Sequence, residues 1–110
     1  MKKKKTIIKT LYDECTTLPK SKGNGQLIRK VSVDNKNIVV RYNLVYINYN
    51  LCQVDNGRVL GYDNAHGLHH KHCMGSVEPI KFISYEVIEE HFQKEFEVLY
   101  EKIKSHKKTH

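Results

Sequence analysis

The alternation of apolar and polar positions predicts a β-sheet followed by one long helix. Its clearest part runs from Ile38 to Asn50. Even positions there hold Ile38, Val40, Tyr42, Leu44 and Tyr46, and odd positions begin with Val39, Arg41 and Asn43. Successive Cβ atoms of a strand point to opposite faces, so the even set turns toward a core. Past Leu44 both sets are apolar, with Val45 and Ile47 joining, which predicts a central strand covered on both faces. A strand is also expected over 27–33, LIRKVSV, ending at the turn Asp34-Asn35-Lys36-Asn37. Upstream, Ile7, Ile8, Leu11 and Tyr12 suit a short strand or helix. Residues 17–26, with Pro19 and Gly23-Asn24-Gly25, predict a basic loop.

Asp55-Asn56-Gly57 predicts a hairpin turn through its Asn-Gly dipeptide. Val59, Leu60 and Tyr62 predict a short strand after it. A last strand is expected from Val77 to Ile83, with Pro79 suiting an edge. The period then changes. Tyr85, Ile88, Phe92, Phe96, Leu99 and Ile103 form one stripe at helical spacing. Ser84 suits the N-cap. Glu86, Glu89 and Glu90 complement the positive end of the helix dipole, and Lys102 and Lys104 the negative end. His91 lies beside the stripe and reads as structural. The expected fold is therefore α+β: a small antiparallel sheet of four or five strands with one long C-terminal helix packed on one face. Residues 1–25 form a basic, partly flexible N-terminal segment in this reading, 26–104 a single domain, and 105–110 a frayed tail.

With 110 residues there is room for one core. No apolar run approaches the ~20 residues that span a membrane. The apolar stretch after the initial lysines is too short for a secretory signal. A cytoplasmic protein without membrane partners is expected. Cys15, Cys52 and Cys73 are odd in number and contain no CxxC pair, which suits reduced thiols. The net charge of +7 is concentrated at the N-terminal end, where residues 1–36 hold ten Lys/Arg against three acids. Such a field favours polyanions, nucleic acid first.

Candidate chemistry gathers in residues 58–73, RVLGYDNAHGLHHKHC, which hold four of the seven histidines. Asp63-Asn64 is turn chemistry, and Gly67 adds backbone freedom. The histidines are thus expected on a hairpin-like connection presented by the sheet. Three readings fit these residues. In the first, His70 and His72 supply acid–base work on RNA, because histidine titrates near neutrality. Asp63 fixes a tautomer and Lys71 holds the phosphate. The two histidines share one side if the segment is extended, with Lys71 opposite; on a turn all three converge. Lys20, Lys22, Arg29 and Lys30 then bind the RNA backbone. No cofactor and no metal is required. In the second, His66, His69, His70, His72, Cys73 and Asp63 supply ligands to a zinc-like ion. In the third, the chain is a non-enzymatic binding module and the histidines are contacts.

The order of features also resembles a known family. RYNLVYIN, then YDNAHGLHHKH, then Pro-Ile-Lys-Phe and an acidic-aromatic helix are similar to the TumE family over roughly residues 38–100. The specific part is Tyr62-Asp63-Asn64, Gly67 and His70-Lys71-His72, followed by Phe82 and the helix around Phe92. The resemblance implies a toxin of a toxin–antitoxin pair, with a helix-turn-helix antitoxin as partner. Tyr62 and Asn64 of that motif, together with Arg58 and the neighbouring His66 and His69 of the histidine cluster, are candidate binding residues, and a homodimer is compatible with this reading. The family places Arg directly before Tyr-Asp-Asn, where this chain has Gly61. Arg58 lies three residues earlier and faces the other way in a regular strand.

Overall fold

The computed structural model describes residues 7–20 and 24–108. Six strands precede one helix: β1 (Lys9–Thr17), β2 (Gln26–Val33), β3 (Val39–Ile47), β4 (Arg58–Asp63), β5 (His70–Cys73), β6 (Ser76–Pro79) and α1 (Tyr85–Lys108). Each strand pairs antiparallel with the next, so the sheet order is the chain order. The α+β class holds, with six strands instead of four or five. The additional strand is β5, in the histidine stretch itself. HKHC has no apolar alternation, so periodicity gives no sign of it. It forms because Met74 and Gly75, both at positive φ (49° and 90°), make a two-residue turn that folds β6 back onto it. The last strand stops at Pro79 and does not reach Ile83, as suits a residue with no N–H to donate.

The helix crosses one face of the sheet, over β3 and β4. Ser84 caps it, its Oγ accepting from the Val87 N–H at 3.2 Å. Tyr85, Ile88 and Phe92 are buried against Val31, Tyr42, Leu44, Tyr46, Leu60 and Tyr62. Phe92 meets Tyr62 edge-on with ring centroids 6.4 Å apart, and Phe96 meets Tyr46 at 5.1 Å. The even positions of β3 enter the core only from Tyr42 onward. Tyr42 already packs against Tyr85 in the first helical turn, and Ile38 and Val40, nearer the other end, stay exposed. Covering on both faces is not found. Among the described residues no helix or strand lies over the second face, although Val45 is buried there in a cross-strand row with Ile28 and Gly61. Among the described residues, no helix is long and apolar enough to cross a membrane.

Candidate functional site on the open face of the sheet

The pleat sorts the motif. On β4 and β5 the cross-strand pairs are Tyr62 with Lys71, Asp63 with His70, and Gly61 with His72. Alternation then puts Tyr62 and Lys71 on the helix side, and Asp63, His70 and His72 on the open side. The segment is extended, so His70 and His72 share a face and Lys71 does not join them.

Arg58 reaches the open face by an irregularity. Tyr46 pairs with Leu60, but the next residue, Ile47, pairs with Arg58, leaving Val59 as an extra residue in β4. This bulge reverses the parity expected of a regular strand. Arg58 Nη1 lies 3.7 Å from Asp63 Oδ2. Its stem runs over Gly61, where an added Cβ would sit 3.0 Å from Arg58 Cδ. Gly61 thus leaves room for an arginine that arrives from three residues away.

The turn before β4 supplies the fourth member. Asp55, Asn56 and Gly57 all have positive φ. A side chain at Gly57 would also meet the Tyr49 ring at 2.8 Å, so glycine is required there. The turn directs Asp55 back onto the strand, where Arg58 donates to it through Nη2 (2.7 Å) and Nε (3.1 Å). The hydrogen bond from Arg58 holds the Asp55 carboxyl below its ordinary value, with the charges of Arg58 and His72 adding to it against partial burial.

His72 lies between the two acids. Its Nε2 is 2.7 Å from Asp63 Oδ2 and its Nδ1 is 3.3 Å from Asp55 Oδ2. The ring is largely buried, and Nδ1 makes no hydrogen bond. If Asp63 accepts from Nε2–H, a neutral ring turns the Nδ1 lone pair toward a carboxylate. His70, half-buried on the same face, has no hydrogen bond or ion pair among the described residues. It is the ring free to meet a ligand.

Several of the other candidate residues make contacts that hold the fold. Asn64 completes the end of the sheet: its Oδ1 accepts from the Tyr42 N–H at 3.0 Å and its Nδ2 donates to the Val40 carbonyl at 3.0 Å. His69 stacks on Phe82 at 4.1 Å, and its Nδ1 and the Tyr42 hydroxyl share a hydrogen bond at 2.8 Å. Burial, helped by the charge of Asp63, pushes that hydroxyl up to about 12, so it stays protonated at neutral pH. Tyr62 donates to Glu95 on the helix, and Lys71 pairs with the same carboxylate at 2.6 Å. Arg29 also faces the helix, against Glu89 and over the Tyr12 ring. His66 is exposed, at φ 59°. Lys30 is exposed on the open face, opposite Asn43. Lys20 is exposed and lines a separate, mainly apolar cavity of about 650 Å³ between the sheet end and Leu99 and Ile103, away from the cluster. Lys22 and Lys2 to Lys5 lie outside the described residues.

The sequence reading missed Asp55, Arg41 and Asn43. Asp55 was accounted for by its turn. Arg41 and Asn43 were visible as the polar phase of the alternating strand. The metal reading finds no support in the geometry: among the described residues no three His, Cys, Asp or Glu side chains gather to hold an ion. His69 is turned to Phe82 and His66 to solvent, which disperses the ligands that reading needs. Comparison with family models, curated proteins and solved structures finds no match to this chain.

Proposed function

We propose that the chain acts on RNA in the cytoplasm through the open face of its sheet, as an endoribonuclease toxin neutralised by a helix-turn-helix antitoxin. The observation that carries the RNA reading is His72 fixed between Asp63 and Asp55 beside Arg58, with the unengaged His70 next to it. The toxin role rests on the resemblance of the 62–72 motif to the TumE family. Cleavage by the RNA's own 2′-hydroxyl requires a base on that hydroxyl and an acid on the leaving 5′-oxygen. The 2′-oxygen attacks phosphorus, and the products are a 2′,3′-cyclic phosphate and a free 5′-hydroxyl. His70 is the accessible ring for the base role. His72 is the proton-bearing ring, and Asp63 sets its orientation. Lys71, expected beside the phosphate, is turned to Glu95 and has no place in this scheme.

A second reading, a non-enzymatic RNA-binding module, has one observation in its favour. Nδ1 of His72 is buried and Nε2 is bound to Asp63, so the ring as held offers no free nitrogen to a substrate. The two readings separate on turnover. Sub-stoichiometric protein should convert RNA to cyclic-phosphate ends, and His70→Ala should lower the rate by ~10²–10⁴-fold with the fold intact. The pH–rate curve should be bell-shaped, with His70 neutral and His72 charged in the working state. Stoichiometric binding of RNA without cleavage at any protein ratio would replace the enzyme with the binding module.

A further inference from the structure

The row that carries the candidate site continues across the sheet. Asp13, Lys30, Asn43, Asp63 and His70 are successive cross-strand partners from β1 to β5. At its β1–β3 end this row borders a cavity of about 260 Å³, lined by Thr10, Asp13, Lys30, Ser32, Arg41 and Asn43, with Tyr12 and Tyr42 beside them. That volume lies just under the range of drug-sized ligand sites, about 300–1,000 Å³, and suits a single sugar-phosphate unit. Two cations meet one acid there. Ser32 is the cross-strand partner of Arg41, and it and Thr10 supply hydroxyls. Asn43 adds a second observation. Its Oδ1 is buried and has no hydrogen-bond partner. A buried acceptor left unmet is destabilising, so a ligand that brings a donor to it gains on binding.

We propose that this cavity is a ribonucleotide subsite, in which Arg41 and Lys30 hold a phosphate and Asn43 accepts a hydrogen bond from the ribose 2′-hydroxyl. The inference rests on the RNA reading of the face and adds how the site tells RNA from DNA. The 2′-hydroxyl is the donor that DNA lacks. Arginine supplies planar, paired donors that match phosphate oxygens, and lysine adds a point charge. Among the described residues neither cation is held in an ion pair of the Arg29–Glu89 or Lys71–Glu95 kind, and Asp13 is the one acid that lines the cavity with them. The cavity and His70 are separated by about three strand spacings, or roughly 14 Å. The strand of RNA therefore runs across the sheet, perpendicular to β3, with the held nucleotide at β2–β3 and the reacting one at β4–β5.

The test is fluorescence anisotropy with matched RNA and DNA oligonucleotides at several salt concentrations. Each variant is made on a His70→Ala background so that RNA survives the measurement. Arg41→Gln and Lys30→Gln should each weaken RNA binding by about tenfold and lower the slope of log affinity against log salt by about one. Asn43→Ala should weaken RNA and leave DNA unchanged, bringing the two together. Equal RNA and DNA affinity before the Asn43 change, or full RNA affinity in all three variants, overturns the subsite while leaving RNA binding by the face in place. Failure of the parent protein to bind RNA at all removes the RNA reading and the subsite with it.

Discussion

The two faces of the sheet use the same kinds of residue for different ends. On the covered face, charged groups lock the helix: Arg29 meets Glu89, and Lys71 meets Glu95, which also accepts from Tyr62. On the open face, Arg58, Asp55, Asp63 and His72 bind one another, and the neighbouring His70, Lys30 and Arg41 are left toward solvent or a cavity. Adjacent residues of one histidine motif are thereby divided. Lys71 belongs to packing, and His70 and His72 to the open side. Clustering in sequence does not establish clustering in space, because a strand sends neighbours to opposite faces.

The largest contrast between the faces should appear in stability. Phe92→Ala removes a buried aromatic from the helix seam and should lower unfolding free energy by ~3–5 kcal/mol, enough to unfold a domain of marginal stability. Arg41→Ala on the open face should stay within about 0.5 kcal/mol. Urea denaturation followed by circular dichroism measures both. Equal losses would mean that the second face is also packed. A smaller contrast lies inside the motif. Lys71→Ala should lower stability by up to ~1 kcal/mol, because the Lys71–Glu95 pair is partly solvent-screened. RNA cleavage per folded molecule should be unchanged. A loss of activity there on the scale expected for His70→Ala would put Lys71 back in the reaction.

Two milder changes address the open cluster. Gly61→Ala places a Cβ 3.0 Å from Arg58 Cδ, and the required shift of Arg58 should be destabilising by about 1 kcal/mol. Its larger effect should be on activity. A variant with full activity would show that the position of Arg58 is immaterial. Asp55 bears on acid stability. Its folded carboxyl binds a proton more weakly than the ordinary value of 3.8, chiefly through the Arg58 hydrogen bond. Its contribution is thus present above about pH 4 and is lost as pH falls through the lower folded value. Asp55→Asn should flatten the decline of melting temperature in that acid range. An unchanged acid limb would show that the Asp55–Arg58 contact does not persist in solution.

Much of the fold was legible because its core follows simple periods. Tyr42, Leu44 and Tyr46 alternate, and Tyr85, Ile88 and Phe92 recur at helical spacing, so both show on one line of sequence. β5 did not, because it has no apolar face and its strand character comes from pairing and from the Met74-Gly75 turn. A regular strand would turn Arg58 the other way, and the bulge at Val59 that reverses this has no compositional mark. Asp55 escaped notice because a residue already explained by a turn invites no second role. Arg41 and Asn43 were legible as polar strand positions. Their shared cavity with Lys30 depends on the register of β2 against β3, which alternation alone does not fix.

Methyl-resolved NMR of the His70→Ala variant, titrated with an unmodified oligoribonucleotide, tests most directly whether the open face is the working face. Val45 and Ile28 lie in its cross-strand row, whereas Leu44, Leu60 and Ile88 belong to the core beneath the helix. Shifts should concentrate at Val45 and Ile28 and leave the Leu44, Leu60 and Ile88 methyls nearly unmoved. Shifts confined to the helix-side methyls, with Val45 and Ile28 silent at saturation, would contradict the assignment.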